Sequence, residues 1–234
     1  MKWLVCIGAS LAISSAFAGA PDISRVVGEV SIDAGREAGD VSTINGSVKI
    51  GDHATVADVS TINGGIHVGE GAKASSLSTI NGGIHIGEGA KASSLSTING
   101  GITLATSTHV SGDASTINGS LSLAQAADVS GRVSTVNGDI RLTAAHVGGR
   151  ISTVSGDIEV GDDSRVDGGL LVDKRHYWWL SFASPRRPVV VIAPGAKVTG
   201  TLRFRQPVAL YISDRATIGS IEGAEPVFYS GERP

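Results

Sequence analysis

The phrase Ser-Thr-Ile-Asn, or a close variant, returns at Ser42, Ser60, Ser78, Ser96, Ser115, Ser134 and Ser152, with spacings of 18, 18, 18, 19, 19 and 18 residues. Ser60–Leu77 and Ser78–Leu95 differ only at Val68 against Ile86. A period this short and this regular admits few architectures. Each unit is too small to bury an apolar face alone and must bury it against copies of itself, which is the logic of a solenoid.

A finer period lies inside the first. Ile44, Ile50, Val56, Ile62, Val68, Ala74, Ile80, Ile86, Ala92, Ile98 and Leu104 follow one another at six-residue steps. A helix would space apolar residues by three and four, and the abundance of Gly, Ser, Thr and β-branched residues also disfavours helix. Three hexads per repeat predict three short strands per coil, each turning one of these residues inward. On that reading the Ile column of the Ser-Thr-Ile-Asn strands points in, and the neighbouring Thr and Asn columns point out. The Asn-Gly pairs at Asn45, Asn63, Asn81, Asn99, Asn118 and Asn137 are expected at sharp corners, where both residues tolerate positive φ. The two 19-residue spacings place an extra residue in Ser111–Thr116 and Ser130–Thr135, where a Gly can absorb it. After Leu171 the period lapses and then resumes at Ile192, Val198, Phe204 and Leu210. The expected fold is therefore all-β: a single-stranded β-solenoid of about ten triangular coils, with right-handed winding expected ahead of left-handed. At ~4.8 Å per coil the rod is roughly 50 Å long.

The ends and the interruption are written in other compositions. Lys2, the apolar run from Trp3 to Ile13 and Ala16-Phe17-Ala18 read as an export signal at residues 1–18, cleaved after Ala18. Its apolar run is too short for a membrane span. The single cysteine, Cys6, falls inside it, so stability after cleavage must come from burial and hydrogen bonding. From Gly19 to His176 there is no Phe, Tyr or Trp, whereas eight aromatics follow from Tyr177 onward. The chain thus divides into a solenoid at 19–172, a basic aromatic insertion at 173–188, and C-terminal coils with a cap at 189–234. Between Asp173 and Arg205 seven Lys or Arg stand against one acid.

The recurring STINGxI and STVSGDI phrases behind an export signal resemble the bacterial adhesin-repeat family of β-solenoids. The segment VIAPGAKVTGTL resembles the polymer-forming bactofilins. The first resemblance spans Ser42 to about Leu171 and the second Val189 to Phe204; both imply the fold, and neither brings a catalytic motif.

Several residue groups invite a chemical reading. His67 and His85 occupy one repeat position, outward on adjacent coils, where a metal ion could join them or a solvated column could simply repeat. Lys49, Thr103, Ser122, Arg141 and Glu159 fill the same column. Asp157, Glu159, Asp162, Asp163 and Asp167 are an acidic run without a calcium-loop spacing. An outward Thr array would suit ice or a crystalline polysaccharide. The insertion carries the most distinctive set: Lys174, Arg175, Tyr177, Trp178, Trp179, Phe182, Arg186 and Arg187 are the materials of a recognition anchor or of a cover over the stack. No catalytic, cofactor or metal site is assigned. The expected function is a non-enzymatic periplasmic, secreted or cell-surface protein, adhesin-like, whose partner is an envelope protein, a polysaccharide or itself. Nucleic acid is not an expected partner, and no membrane span is expected after cleavage. The alternatives are a scaffold growing end to end and a carbohydrate-active enzyme on a β-helix.

Overall fold

A computed structural model describes residues 20–174 and 186–234. Their regular structure is entirely β-strand. The chain winds through eleven coils, one more than the repeat count suggests, and stacks them into parallel sheets. The coil beginning at Val41 shows the plan: a first-face strand Val41–Asn45, a second-face strand Val48–Ile50 and a third-face strand Thr55–Val56. The first and second faces are each eleven strands deep. The third face has a seven-strand and a two-strand sheet, joined by bridges from Thr55 to Lys73 and Lys73 to Lys91.

Registers are in step, so like stacks on like. Val48, Ile66, Ile84, Ile102, Leu121, Ile140 and Ile158 form one buried column of the second face. Ala and Val from the third face complete a slender core. Thr153, Val172 and Phe204 share one inward column, so among the described residues the core gains its aromatic in the tenth coil. The extra residue of the 19-residue units widens the third-to-first corner, where Ser111–Asp113 replaces the two-residue Ser93–Ser94.

The first face is the reverse of the expected one. Thr43, Thr61, Thr79, Thr97, Thr116, Thr135 and Thr153 are buried, at most 4 % exposed. Ile44, Ile62, Ile80, Ile117 and Val136 point outward and are 37 to 41 % exposed. The reason lies at the corner. Thr61 Oγ1 donates to the carbonyl of Gly46 at 3.0 Å, and Thr79, Thr97, Thr116 and Thr135 repeat the bond one coil further on. A buried carbonyl left without a donor costs more than an aliphatic side chain would gain there. An outward Thr array for ice or crystalline polysaccharide is therefore absent.

The Asn-Gly corners are built differently too. Neither residue of these pairs takes a positive φ. Their glycines are required by space, since a Cβ on Gly64 would overlap the carbonyl of Gly46, and one on Gly82 that of Gly64. The left-handed position falls instead at the second-to-third corner of each of the first nine coils: Gly35, His53, Gly71, Gly89, Ser107, Ala126, Ala144, Asp163 and Gly195. The Asn side chains form a ladder, each Nδ2 donating to the Oδ1 of the Asn one coil before it, at 2.8 to 2.9 Å from Asn45 to Asn137.

Candidate recognition surface

The stack is interrupted at one corner. The first-face strand Leu170–Val172 and the second-face strand Val189–Ile192 belong to one coil, yet residues 173–188 separate them where the second to seventh coils need only an Asn-Gly turn. Arg175, Tyr177, Trp178, Trp179 and Phe182 lie outside the described residues. Lys174, Arg186 and Arg187 are described, and all three are exposed.

Both stems are fastened. On the way out, the Asp173 amide donates to Thr153 O at 2.9 Å, and its carboxylate accepts from the Lys174 amide and from Arg205. On the way back, one carboxylate, Asp157, accepts from Arg186 Nη2 at 2.6 Å and from the Val189 amide at 2.8 Å. Ala209 N donates to Pro188 O. Gln206 Nε2 donates to Val154 O at 2.6 Å and closes the corner beneath. The insertion thus leaves and rejoins the rod at defined points, with cationic side chains at both.

Asp157 shows what becomes of the acidic run. Its members do not converge. Glu159 pairs with Arg141 at 2.6 Å, Asp167 bonds His146, Arg165 and Thr199, and Asp162 and Asp163 stand exposed at a corner. His67 and His85 do stack as the repeat implies, with ring centroids 5.0 Å apart and planes 3° from parallel. Parallel imidazoles at that separation face alongside each other rather than toward one ion, for which Zn–N distances of about 2.0–2.1 Å would be needed. Burial lowers the His67 pKa, and the charges of His85 and Lys49 lower it further against the opposing pull of Glu29. Among the described residues no three His, Cys, Asp or Glu side chains gather to hold a metal ion.

No protein-family model matches the chain, and neither a curated protein nor a solved structure does. The adhesin-repeat and bactofilin resemblances accordingly rest on their short motifs alone.

Two features escaped the sequence reading. On the third face, His109, Asp128, His146 and Arg165 stack in one column. Asp128 accepts from His109 Nδ1 at 2.7 Å and meets His146 Nδ1 at 2.5 Å, while His146 Nε2 reaches Asp167 at 3.1 Å. The 18- and 19-residue spacing of these residues was the available signal. The second feature is the outward aliphatic column of the first face, hidden because its members share the six-residue step of the inward Ile50 and Val56.

Proposed function

We propose that this is a non-enzymatic structural protein, exported to the bacterial envelope or surface, whose rigid rod presents a recognition segment to an envelope protein or polysaccharide. The observation that carries the reading is the single interruption of the ladder: an otherwise continuous eleven-coil stack parts between Val172 and Val189, and both stems are clamped to the rod. A rigid stack with two clamped stems fixes where the segment leaves and rejoins the rod, which lowers the entropic cost of presenting it. Cations at the stems, with the aromatic sequence between them, suit an anionic or sugar-rich partner.

Cell fractionation and a pull-down with isolated envelope and a polysaccharide panel test this. The protein is expected outside the cytoplasm and in the bound fraction. The combined changes Lys174→Ala, Trp178→Ala and Trp179→Ala are expected to weaken capture at least tenfold while the cooperative thermal melt is kept. Cytoplasmic retention, or polysaccharide cleavage that is lost in Asp157→Asn, would overturn it. Growth end to end is the weaker reading, because Arg25, in register with the buried Thr43, and Arg36, one repeat before the buried Ala54, both stand exposed at the open end of the first coil. Charged side chains are a known means of blunting a sheet edge.

A further inference from the structure

From the second to the eighth coil the outer surface of the solenoid is charged on two faces and free of charge on the third. The outward column of the second face runs Ser31, Lys49, His67, His85, Thr103, Ser122, Arg141 and Glu159. The third face carries Lys91, His109, Asp128, His146, Arg165 and Lys197. From the second to the eighth coil the first face has no Lys, Arg, Asp or Glu in any segment from its opening apolar residue to its corner glycine, Val41–Gly46 through Ile151–Gly156. It shows solvent a Ser column, an Asn ladder and a continuous aliphatic stripe from Val26 through Ile80 and Ile98 to Val154. Neighbours above and below cover the flanks of the side chains, so the exposure of 37 to 41 % at Ile44, Ile62, Ile80, Ile117 and Val136 is the outer edge of an unbroken ridge.

We propose that this face is a dimer interface, and that its occupant is the same face of a second copy of this chain. The proposal rests on the reading of the protein as a rigid display rod and adds a second copy of the chain to its partners. Three observations point to a second copy. Depletion of charge marks the centre of an interface. The ridge repeats at the strand spacing of ~4.8 Å, and only a partner of equal period can mesh with it along its whole length; an identical ladder does so by construction, as paired sheets do in steric zippers. The area also suffices. A five-residue strand width and eight coils span about 16 by 34 Å, so two copies bury roughly 1,100 Å², slightly above the ~1,000 Å² expected of a specific contact. A two-fold axis between Ile80 and Ile98 makes the contact self-complementary and closed. It sets the two insertions, which leave at Lys174 beyond the Val154 end, at opposite ends of the pair.

Sedimentation equilibrium of the purified protein tests the proposal. The expected result is a monomer–dimer equilibrium that the pair Ile80→Lys and Ile98→Lys shifts at least a hundredfold toward monomer, while Thr103→Lys on the second face leaves it unchanged. Thermal melts are expected to agree within a few degrees. Should the lysine pair not fold, Ile80→Ser with Ile98→Ser, which extends the adjacent Ser column, is expected to weaken the dimer tenfold or more. A wild type that stays monomeric at several hundred micromolar overturns the proposal, as does a dimer indifferent to both pairs of changes. A monomer that still captures envelope fractions would sink only the dimer. A dimer that cleaves polysaccharide would sink only the functional reading.

Discussion

The hydroxyl of Thr79 donates to the carbonyl oxygen of Gly64 at 2.9 Å, one coil back and at the corner that Thr79 itself approaches. The bond explains why a polar residue is buried beside an exposed isoleucine. Thr79→Val keeps the shape and removes the donor, so a loss of about 1–3 kcal/mol is expected in a denaturant melt. Ile80→Thr alters an outward position and should stay within about 0.5 kcal/mol. Equal effects, or a larger one at Ile80, would contradict the assignment of the inward column.

The corner glycines give a second expectation. A methyl group on Gly82 meets the backbone of Gly64, which has no side chain to swing aside. Gly82→Ala should therefore cost about 1–3 kcal/mol, the range for forced overpacking. Gly89→Ala, in open space but at φ 64°, tests the other use of glycine and should cost roughly 1 kcal/mol from backbone strain alone. Denaturation midpoints of the two variants give the comparison.

The repeat, the three faces, the Asn ladder and the outward His67–His85 pair were legible because each follows from spacing alone. The inside of the first face was not. In Val41-Ser42-Thr43-Ile44 alternation offers two sets, Val with Thr or Ser with Ile, and each joins one apolar residue to one hydroxyl. Parity cannot choose between them; the corner carbonyl chooses, and it exists only once the coils are stacked. The six-residue period concealed the choice because Ile44 shares the step of Ile50 and Val56, which do point inward. The clamp on the insertion was unreadable for a similar reason: Asp157 and Arg186 are 29 residues apart and meet only across coils.

The His–Asp column predicts a pH dependence. Burial lowers the His146 pKa and is the largest single influence, but hydrogen bonds to Asp128 and Asp167, with the charges of both carboxylates, carry it above the ordinary value of 6.5. The stability this gives is full below the unfolded value and is lost as pH rises through the raised one. Asp167 behaves oppositely. Its bond to His146, and then its contacts with Arg165 and Thr199, outweigh desolvation and lower its pKa, so its contribution is lost only on acidification below the usual carboxylate range. Denaturant midpoints should fall from about pH 6.5 upward in the wild type, and His146→Gln should flatten that decline. An unchanged slope in the variant would remove His146 as the cause.

At the N-terminal end, Arg25→Thr with Arg36→Ala restores the residues that the second coil carries in those columns. The edge then loses its two exposed charges while Val26 and Val27 remain exposed, at 66 % and 72 %. Filaments or concentration-dependent turbidity are expected for the variant, and discrete particles for the wild type, by electron microscopy and light scattering. Discrete particles in both would mean that the arginines do not guard the edge.

The in-step stacking has a consequence for how such a chain lengthens. Ser60–Leu77 and Ser78–Leu95 are interchangeable apart from one methylene, and each touches only the coil before and the coil after. Duplicating or deleting one such unit leaves the remaining ladders with the same kinds of neighbour, so no new core has to be invented. Reach is thereby uncoupled from foldability, and selection can set the rod like a ruler in increments of one coil, about 4.8 Å.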